Sequence, residues 1–129
     1  NKYPEMWAEL NRSFIDSLAQ SENYTFFMRA AYTRSPKYAG LFWEGDQMVT
    51  WDKYDGLRSA VIGLQSSGIS GMTFNHSDIG GYTAITDFPF NYVRTKELFM
   101  RWAEFAAFTP VFRTHEGNRP KFIKHGIST

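Results

Sequence analysis

The chain has 129 residues, with 14 Lys and Arg against 13 Asp and Glu and a formal net charge of +1. That is one domain's length, and the charge balance makes no case for nucleic acid or an anionic membrane as partner. A hydrophobic fraction of 43% argues against disorder; no apolar run approaches the roughly 20 residues of a spanning helix; and the absence of cysteine removes disulfides and thiolate metal sites. Aromatic residues make up 18% of the chain, enough to fill a core and also to line a sugar-binding site. No signal-peptide pattern is present, which favours the cytoplasm without deciding the compartment. The chain starts at Asn1 rather than Met and ends in a short polar tail at Thr129, so a piece of a longer protein is expected.

Trp7, Leu10, Phe14, Ile15 and Leu18 follow an i, i+3, i+7, i+8, i+11 pattern that predicts an amphipathic helix over 4–19, with Pro4 in its first turn. Two short apolar runs follow, Thr25–Arg29 and Gly40–Asp46, each ending in polar or charged residues. A helical stretch over about 53–67 carries Tyr54, Leu57, Val61 and Leu64 on one face. A third run, Met72–Asp78, precedes a second helical stretch over about 94–107 with Leu98, Trp102 and Phe105. A fourth run, Pro110–His115, closes the series. Runs of this kind suit buried parallel strands better than alternating edge strands.

The expected order is therefore α–β–β–α–β–α–β, an α/β fold with a parallel sheet. The link from Arg29 to Gly40 is short for a parallel crossover, which normally takes a dozen residues or more. In a (β/α)8 barrel, functional side chains sit at the carboxyl ends of the strands, where this chain carries Arg29, Asp46, Asp78 and His115. Four strands cannot close a barrel of eight, and whole barrels need about 250 residues, so the reading is half a TIM barrel. Its exposed strand edges and apolar helix faces would make the isolated piece unstable or prone to aggregate.

Asp46 ends Trp43-Glu44-Gly45-Asp46. A carboxyl group beside a Trp ring can be buried enough to keep its proton, as a general acid must; the alternative is a helix N-cap. Asp78 precedes Ile79-Gly80-Gly81, a sequence suited either to close approach of a ligand or to an Asp turn. His76 reads as an ordinary hydrogen-bonded histidine or as a ligand. Arg113, His115 and Glu116 crowd into five residues, favouring a site over a solvated loop. Arg29 needs a carboxylate partner if buried, and Asp46 could serve. His76, Asp78 and His115 also allow a facial-triad metal reading, which the intervening helix opposes. Asp87–Tyr92 is either a substrate lid or a cap on the rim.

Together, Phe42-Trp43-Glu44-Gly45-Asp46, Ser77-Asp78-Ile79-Gly80-Gly81, Arg101-Trp102 and Arg113-Thr114-His115, in this order, resemble glycoside hydrolase family 31, the α-glucosidase and α-xylosidase family. The resemblance implies that Asp46 is the general acid/base. It implies that Arg29 hydrogen-bonds the sugar beside the catalytic carboxylates, that Asp78 and His115 hold sugar hydroxyls, that Trp43 walls the subsite, and that Arg113 supports it from the edge. It also implies a nucleophilic Asp on the fourth barrel strand, upstream of this chain, so that residues 1–129 form a single partial catalytic domain, about strands 5–8, inactive alone. Within the family, Phe27-Met28-Arg29-Ala30, Asp46-Gln47, Asn75–Thr83 and Arg113–Pro120 look most like the sulfoquinovosidase branch. There, the hydroxyl of the residue matching Tyr82 helps hold the sulfonate.

The expected activity is thus a retaining, exo-acting α-glycosidase, with sulfoquinovosides first and α-glucosides or α-xylosides second. A non-catalytic carbohydrate-binding module and a metal-dependent oxygenase are the alternatives from other classes. The glycosidase reading requires no cofactor and no metal. Its partner is a small-molecule or oligosaccharide glycoside, not nucleic acid or a membrane, and it leaves homo-oligomerisation of the parent open.

Overall fold

The computed structural model describes residues 2–87 and 89–117. Phe88, Asn118–Pro120 and the polar tail lie outside them. Three helices, α1 (Tyr3–Asp16), α2 (Leu57–Ile69) and α3 (Lys96–Ala106), accompany three short strands, β1 (Phe27–Met28), β2 (Leu41–Trp43) and β3 (Asn75–His76). The strands form one parallel sheet in the order β1-β2-β3. Among the described residues no helix is long and apolar enough to cross a membrane.

Register pairs Phe27 with Leu41, Met28 with Phe42, Phe42 with Asn75, and Trp43 with His76. Since successive side chains alternate sides, Phe27, Trp43 and His76 share one face of the sheet, and Met28, Phe42 and Asn75 share the other. The second face receives the helices. Ala8 of α1 packs into a small core with Met28, Ala39 and Phe42, and the Asn75 amide donates to the Leu64 carbonyl of α2 at 3.0 Å. The first face holds the polar groups described below. The larger core joins Leu57, Ala60, Leu98, Trp102 and Ala106 of α2 and α3 to Val49, Ile79 and Ala84.

Three expectations need correction, and the expected parallel crossover forms despite its short link. In α1 the packed face is Glu5, Ala8 and Ile15, whereas Trp7, Leu10 and Phe14 are exposed. The small Ala8 lets the helix lie close to the sheet, and Glu5 accepts the Arg34 backbone N–H at 2.7 Å, a bond that holds its carboxyl below the usual range. The helix predicted from residue 53 begins at Leu57, because the Asp52 carboxylate captures the Tyr54 and Asp55 N–H groups in an Asx turn. The short crossover from β1 to β2 is parallel after all, carried by a 3-10 turn at Ser35–Lys37 rather than by a helix. The run at 110–115 forms no strand. Pro110 lacks a donor, the Thr109 hydroxyl donates to the Val111 carbonyl at 2.9 Å, and the Ile79 N–H, three residues beyond β3, donates to the Arg113 carbonyl at 3.1 Å.

Candidate functional site

The carboxyl ends of β1, β2 and β3 bring Arg29, Trp43, Asp46, His76 and Asp78 together, and the Ile79–Arg113 bond lays the 113–117 segment beside them. The Arg113 guanidinium is the centre of the cluster. Nη2 donates to Asp78 Oδ1, and Nε donates to His76 Nε2 at 3.2 Å. Its carbon centre lies 5.4 Å from the Phe27 ring and 5.6 Å from the Trp43 ring, within cation–π range. Phe27 meets Trp43 and His76 edge-on, at 6.0 and 5.4 Å.

Asp78 and His76 are fully buried. Burial pushes the Asp78 carboxyl above its ordinary value, outweighing the attraction of Arg113. Burial, with Arg113 adding to it, pushes His76 below its ordinary value. His76 is therefore a neutral imidazole that accepts at Nε2. The Arg113 N–H occupies the only ring lone pair of a neutral His76, so that nitrogen is not open to a metal. Among the described residues no three His, Asp or Glu side chains converge as a metal-binding group. Trp43 Nε1, Asp78 Oδ2 and His76 Nδ1 are buried without hydrogen-bond partners, although the Trp43 indole lies near enough to Asp78 to favour its carboxylate form. Buried polar atoms of this kind usually meet a partner, and these point to a polar ligand.

Asp46 caps no helix; the N-cap of α2 is Gly56. Its carboxylate is about one-third exposed, and Oδ2 lies 3.8 Å from Arg29 Nη1. Arg29 reaches there by crossing Gly45, which has φ +92°, and a Cβ at that position would stand 2.9 Å from Arg29 Nε. Arg29 also lies 5.5 Å from the Trp43 ring. The backbone beyond Asp46 is zipped to that beyond Asp78. Tyr82 N–H donates to the Gln47 carbonyl at 2.8 Å, Val49 N–H to the Thr83 carbonyl at 3.0 Å, and the Thr83 hydroxyl to the Asp46 carbonyl at 3.2 Å. Gly81, with φ +79°, permits this, since a Cβ there would stand 2.7 Å from the Met48 carbonyl. The Asp78 carbonyl meanwhile accepts Gly81 N–H at 2.9 Å. The Asp turn and the Arg113 contact therefore coexist, one through backbone and one through side chain. Tyr82 and His115 face each other with ring centres 4.9 Å apart.

The 87–92 loop is pinched shut by reciprocal bonds between Ile85 and Tyr92 at 3.0 and 2.6 Å, with Phe90 stacked on Tyr92. Sequence reasoning did not single out Phe27, Glu44 or Arg94. Phe27, at the end of a short apolar run, carried no signal. Glu44 is half-buried over Gly63 and accepts the Ser67 hydroxyl at 3.1 Å, with its carboxyl raised by burial. The Asn75 amide donates to Ser67 Oγ at 2.6 Å and to the Met72 carbonyl at 2.9 Å, so its side chain is sealed in the fold. Arg94 and Glu116 pair at 3.5 Å, both buried. Arg94 precedes the Thr95 cap of α3; a cation there opposes the helix dipole, an anomaly that marks a residue held for another reason.

The His76 environment sets a pH dependence. Its folded pKa lies below the unfolded value of about 6.5, so its contribution to stability is complete above that pH. It is lost as the pH falls through the lowered folded value. Asp78, raised in the fold, acts in the opposite sense and only from about pH 4 upward. Unfolding free energy should therefore drop more between pH 7.5 and 5 in wild type than in His76→Gln, whose amide oxygen can still accept from Arg113. Equal drops would contradict the buried neutral histidine.

Comparison with known proteins bears on the whole described chain. Residues 1–125 match the glycosyl hydrolases family 31 TIM-barrel domain. The sulfoquinovosidase of Agrobacterium fabrum is 49% identical over 121 residues, covering 94% of this chain and 18% of that protein. The sulfoquinovosidase of Escherichia coli is 46% identical over 120 residues, covering 93% and 17%. A solved GH31 family sulfoquinovosidase from E. rectale, in complex with the aza-sugar inhibitor IFGSQ, superposes with a TM-score of 0.84 at 46% identity, covering 95% of this chain and 18% of that one. The chain thus spans less than a fifth of these relatives' length. A parallel sheet with helices on one face, a polar cluster at its carboxyl ends and these matches lead to one assignment: the chain belongs to glycoside hydrolase family 31, within the family's TIM-barrel domain.

Proposed function

We propose that this chain is the C-terminal half of the catalytic barrel of a longer retaining α-glycosidase that cleaves α-sulfoquinovosides. The observation that carries the reading is the set of buried, unpartnered polar atoms around Arg113: Trp43 Nε1, Asp78 Oδ2 and His76 Nδ1. They lie at the carboxyl ends of parallel strands, where barrel enzymes build their sites. A sugar hydroxyl, which both donates and accepts, suits such a mixed set of donors and acceptors. The sulfoquinovosidases of two bacteria at 46–49% identity support the sulfonated substrate.

A retaining glycosidase uses two carboxyl groups about 5–5.5 Å apart, one nucleophilic and one acid/base. In this reading Asp46 is the acid/base. It donates its proton to the glycosidic oxygen as the C–O bond breaks, while the upstream nucleophile bonds to the anomeric carbon. As carboxylate it then takes a proton from water, which attacks that carbon and releases the nucleophile. Its partial exposure suits proton exchange with the leaving group and with water. Arg29 and Asp78 hold sugar hydroxyls with His115, Trp43 supplies an apolar wall, and Arg113 fixes Asp78. Tyr82 offers a phenolic donor to the sulfonate. Oligomeric state does not enter the reaction, and no step calls for a metal or cofactor.

In the intact parent, Asp46→Asn should slow glycosides with poor leaving groups by roughly a hundred- to ten-thousand-fold, and activated aryl glycosides far less, because those need little protonation. Equal losses on both would remove Asp46 from the acid/base role. Tyr82→Phe should weaken transition-state binding of a sulfonated substrate by about 1–3 kcal/mol, the worth of a hydrogen bond to a charged group, while sparing a neutral glucoside. Steady-state kinetics on the two sugars decides this, and an unchanged sulfonated substrate would take Tyr82 out of the sulfonate site.

A further inference from the structure

Arg94 is buried between two segments that carry site residues, its side chain only 9% exposed. Nε donates to the Gly80 carbonyl at 3.1 Å, and Nη2 donates to the Gly81 carbonyl and to the His115 carbonyl at 3.3 Å. Nη1 lies 3.5 Å from Glu116 Oε2, and the Glu116 side chain is 5% exposed. The guanidinium sits 5.8 Å from the Phe99 ring, and the side chain passes close to Gly80, where a Cβ would stand 2.9 Å from Nε and Cδ. A buried ion pair is poor evidence for stability in itself. What this one does is join the turn that leads into Tyr82 to the strand-like segment of His115 and Glu116.

Tyr82 occupies a slot between those segments. On one side is the His115 ring, 4.9 Å away. On the other is Gly117, where an added Cβ would overlap the phenol oxygen and ring of Tyr82. Both walls belong to the segment that Arg94 fastens to the Gly80–Gly81 turn. The fastening takes a planar fork, since three carbonyls and a carboxylate are addressed from one head group; a lysine ammonium is a point donor and cannot span them.

We propose that Arg94 is a positioning residue that sets where the Tyr82 hydroxyl stands, and with it the preference for an anionic over a neutral sugar, with Gly117 providing the space. This rests on the reading of Tyr82 as the sulfonate donor. An interaction equally present in ground and transition state alters KM rather than kcat, which separates positioning of a binding group from damage to the catalytic carboxylates.

The test uses the intact parent and the ratio of kcat/KM for an aryl α-sulfoquinovoside to that for the aryl α-glucoside. Arg94→Lys and Gly117→Ala should each lower the ratio by roughly ten- to a hundred-fold, as misplacements near an ångström do, chiefly through KM of the sulfonated sugar. In a Tyr82→Phe background neither should lower it further. A ratio unmoved by both variants, or one that falls equally in the Tyr82→Phe background, overturns the inference. A wild type without preference, or a Tyr82→Phe enzyme with an unchanged ratio, overturns the underlying reading of Tyr82 instead. If Arg94→Lys does not fold, Glu116→Gln, which removes the carboxylate partner of Arg94, takes its place, and an unmoved ratio there overturns the inference.

Discussion

The site is organised by one cation. Arg113 joins His76 at the end of β3, Asp78 just beyond it, and the Phe27 and Trp43 rings of the two neighbouring strands. Taking such a charge out of water is costly unless its donors are used and its partner is ionised. The arrangement uses those donors in directed bonds to the Asp78 carboxyl group and the His76 imidazole, with aromatic faces filling part of the remaining shell. Burial pushes His76 below its ordinary value, and the same cation, bonded to it at 3.2 Å, adds to that effect. Asp78 is left with one oxygen engaged and one free for a ligand.

From that centre the rest of the fold reads as support. The pleat sends Phe27, Trp43 and His76 to one face and gives the other to α1 and α2, so the helices brace the strands without crowding the polar cluster. Trp102 of α3, fully buried, donates its indole N–H to the Ser77 hydroxyl at 2.9 Å, fixing the residue between His76 and Asp78. Short backbone links hold the loops after β2 and β3 together, tying the Asp46 segment to that of Tyr82. Charge balance is local as well as global: Arg29 faces Asp46, Arg113 faces Asp78 and Arg94 faces Glu116. In the proposed reading, directed donors such as Tyr82 contribute to selecting a sulfonated sugar.

Much of the architecture was legible in the sequence. Apolar periodicity found all three helices, and the polar ends of three apolar runs found the strand ends where the cluster forms. Two kinds of information were not there. The packed face of α1 is decided by what it meets: Ala8 is chosen for closeness to the sheet and Glu5 for the Arg34 backbone, so a count of large apolar residues selects Trp7, Leu10 and Phe14, which face outward. The final run is apolar enough for a strand, yet its Val111 carbonyl is spent on the Thr109 hydroxyl and its proline has no donor. Of the site, Arg29, Asp46, Asp78 and Arg113 stood out as charges at strand ends. The roles of Arg94, Glu116 and Gly117 depend on contacts between segments more than ten residues apart, which no local pattern encodes.

The central claim is best tested on the intact parent by following the anomer released from an aryl α-sulfoquinovoside and from the matching aryl α-glucoside. Strong preference for the sulfonated sugar, with the α-anomer appearing first, is the predicted result. Release of the β-anomer first would contradict the retaining mechanism assigned to Asp46, and preference for the glucoside would contradict the sulfonate reading while leaving the barrel and its acid/base in place.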